Sequence, residues 1–180
     1  NAQFFDFFET AAKHLKSCFP EIKIGGPALA FRDEWAEEFL KTMSERNVPL
    51  DFYSWHIYLK EPSAMVNRAK KMKDLLLKYG YDKTENICNE WNYVKGWTDE
   101  FKYSIKTMTG IKGAAFVMAC ISEVQKCDAL DMLMYYYARP CAFNCLFNTY
   151  MDKLKGYYPF YWYGMLYDME AEVRSGAWTQ

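Results

Sequence analysis

Apolar residues at Phe4, Phe7, Phe8, Ala11, Ala12 and Leu15 recur at the spacing of one helix face, predicting an amphipathic helix over 3–18 that ends before Pro20. Residues 21–27 read as a short strand that runs into a Gly25-Gly26-Pro27 turn, where absent side chains allow close backbone approach. A helix is predicted over 33–46, and the rhythm then repeats: a strand over 50–58, a helix over 62–79 stopped at Gly80, and a strand over 86–91. A helical stretch opens at Thr98 and breaks near Gly110. It resumes over 111–126 on an apolar face of Ala114, Ala115, Met118 and Ile121. Residues 129–137 read as a further strand, 138–148 as irregular, and 158–172 as an aromatic helix.

Strand and helix therefore alternate, with strand centres about 30, 35 and 45 residues apart, which suits parallel strands joined by crossover helices. Such a series belongs either to an open doubly wound sheet or to a (β/α)8 barrel. Gly25-Gly26-Pro27 is not a GxGxxG fingerprint and no Walker loop is present, so a nucleotide-binding sheet loses its main support. The unusual residues gather at strand ends: Gly25-Gly26, His56-Ile57-Tyr58, Glu90-Trp91-Asn92 and Tyr135-Tyr136-Tyr137. Barrel enzymes place their catalytic groups there. The expected fold is α/β, with residues 1–180 forming half of a (β/α)8 TIM barrel.

Composition narrows the chemistry. With 180 residues, 51% of them hydrophobic, the chain can bury a substantial core. Its 22 basic and 23 acidic residues nearly cancel, so it lacks the positive field that draws proteins to nucleic acid or anionic membranes, and a neutral substrate fits better. No apolar run reaches the length of a membrane span. Fifteen Tyr and six Trp exceed what a small core demands and suit sugar rings, which stack on aromatic faces. The six cysteines form no CxxC pair and no zinc-type array, so reduced thiols are expected and a metal site is not. The chain opens at Asn1 in what reads as a helix already under way, and the natural protein is expected to continue upstream.

The segment from Glu85 to Tyr93 drives an apolar strand into a carboxylate, Glu90, with a flat indole beside it and amides able to hydrogen-bond hydroxyl groups. A sugar-cleaving nucleophile is often presented in this way. His56 and Tyr58 lie two apart on one strand and share a face. Tyr58 is a candidate donor to Glu90; His56 either contacts a substrate hydroxyl or holds Tyr58. In a regular strand Trp91 points away from Glu90 while Asn92 faces with it, so Asn92 ranks above Trp91 as a polar contact; a bulge would reverse this. Tyr136 alone, or Tyr135 with Tyr137, lines the mouth, and Tyr136 stands among the substrate-binding candidates. Asp33, Glu34, Glu37 and Glu38 read as the solvated start of a helix. Glu100, Glu123, Asp128 and Asp131 lack an aromatic or amide setting like that of Glu90.

Four stretches together resemble the second half of retaining glycoside hydrolases of clan A, above all family 39, which includes β-xylosidases and α-L-iduronidases. They are Leu15-Lys16 followed by Ile22 to Ala28, Leu50 to Tyr58, Ile87 to Asn92, and the Tyr-rich strand with its aromatic C-terminal helix. The resemblance implies that the four strands are the fifth to eighth of the barrel and that Glu90, ending the seventh, is the nucleophile. It also implies a carbohydrate substrate and no metal or organic cofactor. The acid/base of such enzymes follows an Asn at the end of the fourth strand; no such motif occurs here, so this group is expected upstream of Asn1 and the isolated chain is expected to be inactive. A second reading is a non-catalytic carbohydrate-binding or half-barrel assembly module. Its open sheet edges would favour self-association or pairing with a missing N-terminal half. A third is a clan A enzyme of another family.

Overall fold

The computed structural model describes residues 1–140 and 146–171. The predicted alternation is present as α1 (Ala2–Cys18), β1 (Gly25–Ala30), α2 (Asp33–Glu45), β2 (Phe52–Leu59), α3 (Ser63–Lys78) and β3 (Glu85–Tyr93). It continues with α4 (Phe101–Met108), α5 (Ile111–Gln125), β4 (Met132–Leu133) and α6 (Tyr157–Tyr167). Cys141, Cys145 and the last residue of the predicted C-terminal helix lie outside the described residues.

All described strands run parallel in the order β1-β2-β3-β4, each pairing with the next in sequence. A right-handed crossover returns on the same side of the sheet each time, so an order that never reverses lays the helices on one face. The core lies on that face. Tyr53, Trp55, Ile57 and Leu59 of β2 and Trp91 and Tyr93 of β3 are buried there. They meet Phe39, Leu40 and Met43 of α2, Met65, Ala69, Met72 and Leu76 of α3, and Phe116, Val117 and Cys120 of α5. Each large apolar side chain so buried is worth about 1.5–3 kcal/mol. A doubly wound sheet, whose order reverses, covers both faces; the order seen here is that of a barrel wall.

Two local features depart from the sequence pattern. Strand β1 begins at Gly25, so the Gly-Gly-Pro segment forms the strand itself. A Cβ at Gly25 would overlap the Phe52 carbonyl oxygen, so glycine here serves the close approach of two strands and not a turn. Gly80, by contrast, stops α3 as expected, at φ +78. Strand β4 shrinks to Met132–Leu133 although backbone bonding to β3 continues: Asp131 N to Asn86 O at 2.9 Å, Met134 N to Cys88 O at 2.8 Å and Tyr136 N to Trp91 O at 3.1 Å. Neither interval advances both strands by two residues, as a parallel ladder requires, and the regular strand ends there.

One buried amide ties the wall together. Asn86 Oδ1 accepts from Trp55 Nε1 at 2.7 Å, and its Nδ2 donates to Ala69 O at 2.9 Å and Ala129 O at 2.6 Å. The side chain thus joins β2, α3 and the segment entering β4, with both of its amide hydrogens used.

Candidate active site

An extra residue in β3 determines which way Glu90 points. Trp55 pairs with Cys88, yet the next residue of β2, His56, pairs with Glu90, so Asn89 is a bulge. Asn86 and Cys88 face the helices, and strict alternation would turn Glu90 the same way. Because the bulge takes one position, Trp91 and Tyr93 continue the helix-facing row, while Glu90 comes round beside His56 and Tyr58. The bulge lies before Glu90, so the expected opposition of Glu90 and Trp91 holds. Trp91 is fully buried, with ring contacts to Phe116 at 6.2 Å and Tyr135 at 5.4 Å.

Tyr58 Oη donates to Glu90 Oε1 at 2.6 Å. The described partner of this carboxylate is therefore a phenol, not a lysine. Burial, and then the hydrogen bond and charge of Glu90, push the Tyr58 phenol well above the ordinary tyrosine range, so it stays protonated and remains a donor. One carboxylate oxygen is held this way, which leaves the other to point elsewhere. His56, half-buried, is the cross-strand neighbour of Glu90 on the same face.

Asn92 shares that side of the strand but is only 1% exposed. Its Nδ2 donates to Tyr136 O at 2.7 Å and its Oδ1 accepts from Tyr93 N at 2.7 Å. These two bonds run to backbone groups, and the side chain is nearly inaccessible. Of the three tyrosines, Tyr135 packs on the helix side against Trp91 and, at 4.9 Å, Phe160. Tyr136 and Tyr137, joined by a cis peptide bond, stack on one another at 4.1 Å.

An aromatic absent from the sequence-based candidates also reaches the site. Trp97, in the loop after β3, sits edge-on to Tyr58 with ring centroids 5.0 Å apart and stacks on Phe101 at 5.7 Å. Nothing in its sequence surroundings distinguishes it from any surface indole.

Several of the other carboxylates are engaged structurally. Asp33 pairs with Arg68 and Lys71, Glu37 with Lys78 and the Tyr79 hydroxyl, and Glu38 accepts from Asn1 at 2.8 Å. Glu100 pairs with Lys95 at 2.8 Å, and Asp131 accepts from Asn86 N at 2.7 Å. Burial pushes the Cys88 and Cys120 thiols up to about 12, so neither is a thiolate nucleophile near neutral pH. No described helix is long and apolar enough to cross a membrane.

Comparison with known proteins places this arrangement. The chain is 42% identical over 57 residues to a beta-xylosidase from Geobacillus stearothermophilus, a match covering 31% of this chain and 11% of that protein. A glycoside hydrolase family 39 enzyme from Xanthomonas axonopodis pv. citri superposes with TM-score 0.76 at 17% identity, over 92% of this chain and 37% of its own. A glucosidase from Croceicoccus marinus gives TM-score 0.68 at 26% identity, over 82% of this chain and 32% of its own. The chain thus spans about a third of the length of these solved relatives, and the match a ninth of the xylosidase. The model of glycosyl hydrolases family 39 matches residues 1–141, and the chain belongs to that family.

Proposed function

We propose that this chain is the part of a retaining glycosidase that contributes the fifth to eighth strands of a (β/α)8 barrel, with Glu90 as the nucleophile. The observation that carries this reading is the Tyr58–Glu90 hydrogen bond of 2.6 Å, made where two parallel strands end. In a double displacement the free oxygen of Glu90 attacks the anomeric carbon, while a second carboxylic acid protonates the departing oxygen. A glycosyl ester results, and the second group, now a base, activates water to hydrolyse it. Tyr58 acts in both steps. Its bond aims the carboxylate, weakens when the charge is lost in the ester, and is regained as water releases the sugar, so it favours Glu90 as a leaving group.

The acid/base, in this reading, comes from the other half of the barrel and stands about 5–5.5 Å from Glu90. His56 and Tyr136 contact the sugar. Asn92 acts one step back, by holding the Tyr136 carbonyl. The edges at β1 and β4, together with the apolar groove of Ile111, Ala114, Met118, Tyr158 and Trp162 between α5 and α6, are surfaces that pairing with that half would serve to cover.

The test uses the whole barrel enzyme. A mechanism-based fluorosugar should label Glu90, and Glu90→Gln should remove nearly all turnover. Labelling of another acid overturns the assignment.

A further inference from the structure

The extra residue in β3 is felt by both neighbouring strands. Toward β2, Trp55 and His56 pair with Cys88 and Glu90. Toward β4, Met134 N donates to Cys88 O at 2.8 Å and Tyr136 N to Trp91 O at 3.1 Å, so three steps along β3 face two along β4. A bulge of this kind disrupts the ladder locally and leaves its shape to be held by other contacts. Asn89 supplies none through its side-chain oxygen, which is buried without a hydrogen-bond partner among the described residues. Cys88 does supply one. Its Sγ donates to the carbonyl oxygen of Glu90, two residues on, at 3.5 Å. The side chain is fully buried, and burial pushes its thiol up to about 12 although a backbone hydrogen bond with Glu90 acts the other way. The sulfur therefore keeps, near neutral pH, the proton that it donates. A thiol is a weak donor, but this one spans the residue whose insertion turns the carboxylate.

We infer that Cys88 is a positioning residue for Glu90: its S–H clasps the bulge at Asn89 through the Glu90 carbonyl and so holds the carboxylate on the Tyr58 side of the wall. This rests on the reading of Glu90 as nucleophile. The thiol lies on the helix side, out of reach of a substrate, and what it governs is the direction in which the strand presents its carboxylate. Without the clasp, the population in which Glu90 meets Tyr58 falls, and the rate of attack falls in proportion. Sugar binding draws on other groups at the mouth and changes little.

The experiment compares Cys88→Ala and Cys88→Ser with the parent in the whole barrel enzyme. Both variants lose the sulfur and its packing, but only serine keeps a donor, so a packing role predicts equal losses. Cys88→Ala should lower kcat and the rate of fluorosugar labelling of Glu90 together, roughly threefold to tenfold, while the inhibition constant of the free monosaccharide moves less than about twofold. Cys88→Ser should recover most of this loss. Amide hydrogen exchange over residues 88–91 should quicken in Cys88→Ala and be largely restored in Cys88→Ser. Equal losses in the two variants overturn the inference, as does a Cys88→Ala enzyme with parental kcat and exchange. If either variant fails to fold, Cys88→Thr and Cys88→Val make the same comparison, with the hydroxyl again the difference. Labelling keeps the two ideas apart. If Glu90 is labelled in the parent while the alanine and serine variants behave alike, only the clasp fails. If Glu90 is not labelled in the parent, the nucleophile reading fails, and the exchange comparison by itself decides whether Cys88 holds the bulge.

Discussion

The β2–β3 pair and the β4–α6 end of the chain are built from similarly aromatic sequence, yet they use it differently. In β2 and β3, Tyr53, Trp55 and Trp91 are fully buried, and Asn86 satisfies Trp55 from within the core. In α6, Tyr161, Trp162, Met165, Leu166 and Tyr167 are all exposed, and Pro159 is the one buried residue in the helix. Aromatic content alone thus says little about where a core will be. A nucleophile, the role proposed for Glu90, needs a fixed frame, and Glu90 is rooted in the strand pair whose back is most completely packed.

The contrast can be broken most severely by deleting Asn89. This should restore strict alternation in β3, turn Glu90 toward the helices and abolish turnover as thoroughly as Glu90→Gln, while the fluorosugar no longer labels the chain. Retained labelling would show that the bulge does not set the direction of Glu90. Next comes Asn86→Ala, which strands the Trp55 indole N–H and two carbonyls and should cost about 3–5 kcal/mol in urea unfolding. Tyr58→Phe removes one hydrogen bond to a charge, about 1.5–3 kcal/mol, and should lower kcat/KM roughly 10- to 100-fold in the whole enzyme.

A pH experiment probes the packed region as a unit. Burial pushes Tyr81 up to about 12, and burial also raises Tyr53 and Tyr58. A phenol that holds its proton more tightly when folded stabilises the fold fully below the ordinary tyrosine value of about 10. That contribution is lost as pH rises from there through the folded values. The urea midpoint should therefore fall across this alkaline window, and less so in Tyr81→Phe; a flat midpoint would contradict the burial. The smallest effect belongs to the other region: Leu166→Lys in the isolated chain should change stability by no more than about 0.5 kcal/mol, because the residue is already 52% exposed.

The helices and the parallel order were legible because helical periodicity and the stops at Pro20 and Gly80 are local signals. The pairing of Tyr58 with Glu90 was expected from the barrel reading, which turns the face of His56 and Tyr58 toward the neighbouring strand, although alternation counted from Asn86 and Cys88 would by itself have turned Glu90 the other way. The bulge at Asn89 was not: it is a mismatch between two strands, and no residue type announces it. Gly25 was misread for a similar reason, since a glycine required by a neighbouring strand looks the same as one required by a turn. The span expected for β4 was too long because alternating apolar and aromatic residues promise a strand only when the partner keeps step. Asn92 faced as expected, but the occupation of its amide by Tyr136 depends on a residue 44 positions away. Trp97 went unnoticed because an indole in a polar loop gains its meaning from Tyr58, on another strand.

The unreversed strand order also has a consequence for how the chain reaches this state. Each strand after β1 docks on the outer edge of what already exists, and no strand has to be threaded between two that have already paired. The wall can therefore grow from its N-terminal side in the order of synthesis, each crossover helix covering the newest strand as it arrives. By the time β3 brings Glu90 into place, Tyr58, two strand positions beyond its cross-strand neighbour His56, is already waiting on β2.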